Sequence, residues 1–197
     1  MTRGLYPWRI LVCSLTPLAW GQSPAIQSLE AKDAYKLLNT ALNDKRKKVP
    51  AYQLPTTPWN YGGVRRQYCF GLRLPGGERV AGASPGWYER GVTFFNPEGQ
   101  RGRLIGALLL ETAMTLQDRP LHKGIYLVAA FPGNLGMFGD FASDISAIPL
   151  PSEIEAALLE ERASPGLKFS LVNEGDQIFM VVGANKLPLK VAQTPQQ

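Results

Sequence analysis

Histidine and cysteine are close to absent from this 197-residue chain: His122 is the only histidine, and Cys13 and Cys69 are the only cysteines. Transition-metal sites assembled from clustered His and Cys are excluded by that count. A serine triad would have to draw on His122, and no G-x-S-x-G elbow accompanies it. A Cys69–His122 pair would need a turn to approach a strand, and Cys69 stands in an alternating apolar segment where a small buried thiol is common. His122, in the string Asp118-Arg119-Pro120-Leu121-His122-Lys123, reads as a solvated turn residue. The glycine-rich stretch 133–139 has no lysine to make it a phosphate loop. Charge is scarce as well. A net +5 gives no basis for a nucleic-acid partner, and 19% charged against 45% hydrophobic residues describes a folded chain.

Residues 1–21 have the composition of a leader. Arg3 and Arg9, with no acidic residue, precede an apolar run over 10–20 that is interrupted only by Ser14, Thr16 and Pro17. Ala19-Trp20-Gly21 then places small residues where a signal peptidase reads, so cleavage is expected before Gln22. The run is too short for a permanent span, and Val12 before Cys13 argues against a lipid-anchored cysteine. The expectation is an exported protein, periplasmic or secreted, with no transmembrane anchor after cleavage. It would then carry Cys69 alone and hold together through its core, without a disulfide.

What is present in quantity is turn chemistry, with 20 glycines and 16 prolines between short apolar segments. The most telling segment is 125–131, an unbroken run of Ile, Tyr, Leu, Val, Ala and Phe between Gly124 and Pro132-Gly133, which suits a strand in the centre of a sheet. Residues 22–48 read as a helix with Ala34, Leu37, Leu38, Ala41 and Leu42 on one face, started by Ser23-Pro24 and ended by the cations Lys45, Arg46, Lys47 and Lys48, which favour a helix C-terminus. Residues 49–63 form a proline-rich connector. From 64 the pattern turns to strands. Tyr68, Phe70, Leu72 and Leu74 alternate with other residues, Pro75-Gly76-Gly77 turns, and 78–83 returns. Short strands follow at 91–96, 167–172 and 177–182. Residues 103–116 are read as a strand pairing with 125–131, with a helix as the alternative. Residues 186–191 are expected at a sheet edge because of Pro188. Residues 132–149 read as one long loop. After it, Ser152 and Glu155 form a capping box for a short helix carrying Ile154, Ala157 and Leu158.

The fold expected is mainly β: a single β-sandwich or open-barrel-like domain with an N-terminal helix and one short inserted helix. Its divisions are a leader over 1–21, helix and connector over 22–63, a β-rich domain over 64–192, and a tail over 193–197. Pro120, Leu121, Gly124, Tyr126 and Leu127, with Pro132-Gly133 following, form a P-L-x-x-G-x-Y-x-L element. In this the chain resembles small exported bacterial β-sandwich modules of unassigned function. The resemblance implies a sandwich and carries over no active site.

For chemistry the sequence offers carboxylates and aromatics. Asp140 and Asp144, in the glycine-rich stretch, have the oxygen chemistry of a calcium site, but their spacing matches no EF-hand loop and no metal or cofactor is expected. Loop aromatics and neighbours (Trp59 and Tyr61 beside Gly62-Gly63, Trp87 and Tyr88 in a turn, and Leu135, Met137, Phe138 and Phe141 in the long loop) are candidates to contact a ligand. Arg65-Arg66 and Arg101/Arg103 could add an anionic contact near them. The expected function is therefore a non-catalytic binding or assembly module meeting a protein or glycan of the cell envelope. The alternative is a carboxylate-dependent hydrolase of envelope polymers using Glu111, Asp140 or Asp144, with Asp118 a further carboxylate within the same reasoning.

Overall fold

The structure, a computed structural model, describes residues 25–48, 64–84, 93–95, 101–131, 133–139, 145–149, 169–183 and 185–192. The leader, the connector, the expected helix after Ser152 and the tail lie outside the described residues. Those that are described are mainly strand, arranged as two antiparallel sheets with one α-helix.

The chain enters as a two-residue strand, β1 (Gln27–Ser28), and continues into helix α1 (Ala31–Lys48). A 3-10 turn at Arg66–Tyr68 leads to β2 (Cys69–Arg73) and β3 (Arg79–Ala83). Next come β4 (Thr93–Phe95), β5 (Arg101–Leu110), β6 (Met114–Leu116), β7 (Arg119–Leu121) and β8 (Gly124–Phe131). The remaining strands are β9 (Asn134–Gly139), β10 (Ile145–Pro149), β11 (Phe169–Glu174), β12 (Gln177–Val182) and β13 (Asn185–Val191). The first sheet has the order β1-β2-β3-β5-β8-β9-β10, and the second β11-β12-β13-β6-β7. Strand β3 pairs with residues 107–110 of β5 and β4 with residues 101–103, so the two lie end to end along one side of β5.

Strand β8 explains the wide sheet. Every residue from Ile125 to Phe131 is buried, and alternate side chains point to opposite faces. Tyr126, Val128 and Ala130 enter a core shared with Leu116, Leu171, Met180 and Leu187 of the second sheet. Ile125, Leu127, Ala129 and Phe131 belong to a second core that includes Ala34, Leu38 and Leu42 of α1. With both faces covered, a continuous apolar run is what such a strand needs, and each aliphatic side chain buried this way contributes about 1.5–3 kcal/mol. The expected partnership with 103–116 is present, since Leu108 opposes Tyr126 and Leu109 opposes Ile125. That segment is two strands, however. After Leu110 the chain crosses to the second sheet, forms the β6–β7 hairpin, and returns through His122-Lys123 to β8.

Close packing between the layers depends on glycine opposite aromatic rings. A Cβ on Gly106 would run into the ring of Phe169, and one on Gly82 into the ring of Phe70. The two rings meet edge to face at 5.4 Å. In the β6–β7 hairpin the turn residues Gln117 and Asp118 have φ of 47° and 62°. Two successive positive φ values match the right-handed twist of a two-residue hairpin, at a cost for residues that carry a side chain.

Three expectations are corrected. The helix does not begin near Ser23-Pro24. Gln27 and Ser28 are extended against Arg73 and Leu72, and the Leu29 N–H donates to the Gly71 carbonyl at 2.8 Å. The helical turn starts where Glu30 O accepts from Asp33 and Ala34 N–H. The expected 132–149 loop contains the β9–β10 hairpin, with Met137 opposite Ser146 and Leu135 opposite Ile148. Two of its glycines are rungs in a strand: Gly136 lies against the Phe131 ring and Gly139 against Tyr126, while Gly133 sits in the turn before it with φ of 69°. Finally, β13 is interior to its sheet, not at an edge, with β12 on one side and β6 on the other. Pro188 is tolerated because its carbonyl faces Gln117 N–H at 3.2 Å. In an antiparallel strand its nitrogen faces the same way, toward the β6–β7 turn, where no further rung requires an N–H.

Candidate functional site

The structure does not bring the sequence-selected binding residues together as a surface. Leu135 and Met137 are fully buried in the inter-sheet core, and Phe138 is buried on the opposite face, 6.0 Å from the Phe131 ring. The exposed contact surface expected of these three is thus corrected: they are core residues of β9, because strand alternation sends them into the two cores on either side of the wide sheet. Phe141, Trp59, Tyr61, Trp87 and Tyr88 lie outside the described residues, as do Asp140 and Asp144. His122 is exposed in the turn before β8, and its backbone carbonyl accepts the Tyr126 hydroxyl at 2.7 Å. Cys69 is buried beside α1. Its thiol donates to Arg65 O at 3.3 Å, and burial pushes its pKa up to about 11, so it is protonated at neutral pH and a poor nucleophile.

A different site emerges where α1 crosses the end of the wide sheet. A cleft of about 610 Å³ runs between the helix and the strand ends. On the helix wall, Asp33, Leu37, Ala41 and Asp44 stand three or four residues apart, with Lys36 and Thr40 alongside. Leu37 and Ala41 are half-buried, whereas Ala34, Leu38 and Leu42, one step round the helix, are sealed against the sheet. The same stripe therefore packs with one edge and lines the cleft with the other. The sheet wall comes from the end of β2 (Arg73), the start of β3 (Arg79), the end of β5 (Leu109, Leu110) with Glu111 just after it, and the start of β8 (Gly124) with Lys123 just before it.

Arg79 and Glu111 form the fixed point of this wall. The guanidinium donates from Nε to Oε2 at 2.7 Å and from Nη2 to Oε1 at 2.5 Å, and the Arg79 backbone N–H donates to Oε2 at 2.9 Å. The Glu111 N–H returns a bond to Arg79 O at 3.1 Å. The guanidinium hydrogen bonds hold the Glu111 carboxyl below the usual range; burial opposes this, and the charges of Arg79 and Lys123 add to it. Arg79 is raised in turn, first by its bond to Glu111. A carboxylate this well supplied with donors is an anion at neutral pH and has no proton to give to a leaving group. Its role in this setting is to tie β3 to the end of β5. The cleft then offers an apolar floor of Leu37, Ala41 and Leu109 under the cations Lys36, Arg73 and Lys123 and the acids Asp33 and Asp44. Sequence reasoning found the helix stripe but not the Arg79–Glu111 pair, whose members stand 32 residues apart.

Among the described residues no group of three or more His, Cys, Asp or Glu side chains could hold a metal ion, and no helix is long and apolar enough to cross a membrane. No family model, curated protein or solved structure matches the chain.

Proposed function

We propose that the chain is an exported, non-catalytic binding or assembly module of the cell envelope, built as a β-sandwich with a helix on its outer face. Its contact site is the cleft between α1 and the ends of β2, β3, β5 and β8. The observation that carries the reading is the lining of that cleft. Half-buried apolar side chains form the floor, both signs of charge form the rim, and the rigid Arg79–Glu111 pair holds the wall. Such a surface suits a polar partner with some apolar content, a protein segment or a glycan, and not a purely aliphatic one. The leader-like residues 1–21 support export. The hydrolase alternative retains Asp140 and Asp144, but Glu111 is better placed as an anionic tie than as a general acid.

The test is retention of envelope protein and glycan fractions on immobilised protein, comparing wild type with the Arg73→Glu/Lys123→Glu double variant. Both residues are exposed, so the double variant keeps its melting temperature and loses the retained material. Retention of nothing by the wild type removes the binding reading. Hydrolysis of a glycan fraction that survives Glu111→Gln and is abolished by Asp140→Asn favours the enzyme.

A further inference from the structure

The end of the wide sheet that carries the charged cleft opens a second time, on the other side of the β2–β3 turn. There the two sheets part to leave a mouth of about 650 Å³, lined by Ile26, Leu74, Ile178, Leu189 and Val191, with Pro75 and Pro188 completing its apolar wall. Every apolar side chain in this lining is aliphatic. Leu74, Ile178 and Leu189 are 4%, 5% and 1% exposed and belong to the inter-sheet core, against which Ile26 packs. The floor of the mouth is therefore the end of the core itself. At its lip Val191 is 50% exposed, the one large exposed hydrophobic among the described residues. A half-exposed valine at the lip of a recess that ends on the core gives an apolar ligand a surface to cover.

The lining also restricts what that can be. Without an aromatic wall there is nothing for a sugar or a planar ring to stack on. An aliphatic slot favours a flexible chain that fills it by dispersion contacts. An enclosed cavity of about 150 Å³ accommodates a benzene ring, so an open mouth of about 650 Å³ has room for a longer flexible chain. The polar rim is Asp176, Gln177 and Lys190. The Lys190 ammonium lies 3.8 Å from Asp118 in a pair that is 67% and 90% exposed, a contact weak enough to exchange for a ligand anion. Asp176 on the same rim opposes a second negative charge.

We propose that this mouth binds one linear aliphatic chain with a singly charged anionic head: a fatty carboxylate, its chain between the sheets and its head at Lys190 and Gln177. The site is separate from the charged cleft and does not depend on the reading given to that cleft.

Titration calorimetry of the full chain with octanoate, decanoate and dodecanoate, each below its micelle concentration, tests the proposal. One ligand binds per chain, and affinity climbs by about four-fold for each methylene added while the mouth still has room. Val191→Asp lowers dodecanoate affinity more than ten-fold with an unchanged melting temperature. Lys190→Glu weakens dodecanoate by about five-fold and leaves dodecanol unchanged. Sedimentation with phosphatidylglycerol vesicles distinguishes the source of the chain. Binding to free dodecanoate in the absence of vesicle binding fits a soluble fatty acid, and binding to both fits a chain drawn from a lipid. Vesicle binding without saturable dodecanoate binding overturns the proposal, as does dodecanoate binding that Val191→Asp leaves intact or no binding of any chain.

Discussion

The two faces of the wide sheet are covered by different means, and the openings of the molecule follow from that difference. Among the described residues, one face meets a second sheet of five strands and the other meets one helix. Strands lie about 4.8 Å apart and a helix with its side chains is about 10–12 Å across. A helix therefore covers two or three strands, and α1 rests on β2, β3 and β5. Where it crosses the strand ends, its flank and the sheet diverge, leaving a cleft with a charged rim and partly buried Leu37 and Ala41. On the opposite face a sheet covers its neighbour, and a gap opens at the end of the layers as an aliphatic mouth. Both openings flank the same β2–β3 turn, with Arg73 and Arg79 on one side and Leu74 and Pro75 on the other. Arg73 and Arg79 are cross-strand partners and share one face, whereas Leu74, the next residue after Arg73, packs into the inter-sheet core.

Truncations in the two cores give the largest effects. Phe169→Ala removes the ring that covers Gly106 and packs on Phe70, and is expected to lower unfolding free energy by about 3–5 kcal/mol. Leu38→Ala, under the helix, is expected to cost about 2–4 kcal/mol. Urea titration of both variants measures the difference. A near-neutral Phe169→Ala would show that the sheets do not share a core.

The ion pair at the cleft gives a smaller effect. Glu111→Gln is expected to cost about 1 kcal/mol at pH 7, discounted for partial exposure. Because the Glu111 carboxyl is depressed in the folded state, its stabilisation is fully present above the ordinary glutamate value of about 4.3 and is lost as pH falls through the lowered folded value. Unfolding curves of wild type and variant should therefore converge in acid. A gap that persists at pH 2 would mean that packing, and not charge, is the cause.

The smallest effect is a gain. Replacing Gln117-Asp118 by Asn-Gly suits the positive φ at both positions and is expected to raise stability by about 0.5–1 kcal/mol. A loss would indicate that the side chains of this turn make contacts outweighing their backbone strain.

The strands β3, β8 and β12 were legible because each is a compact apolar or alternating run between turn residues. Strand β12 coincides with the expected 177–182. Strand β9 was not legible. Pro132, Gly133, Gly136 and Gly139 carry the signature of a loop, and the rings that make two of those glycines suitable in a strand belong to β8. Pro188 misled for a similar reason, since whether a strand can hold proline depends on where its neighbour ends. The charged cleft was half legible: its helix stripe is periodic, but the join between Arg79 and Glu111 is created by the pairing of β3 with β5 and has no local pattern.

The measurement that bears most directly on two chemically distinct openings is a crossed binding assay. It uses the envelope fraction retained by wild type and dodecanoate as the two probes, and Arg73→Glu/Lys123→Glu and Val191→Asp as the two variants. The charge variant should lose the envelope fraction and bind dodecanoate as wild type does, and Val191→Asp should do the reverse. Loss of both probes in either variant, with melting temperature preserved, would contradict two independent sites and place a single binding surface across the β2–β3 turn.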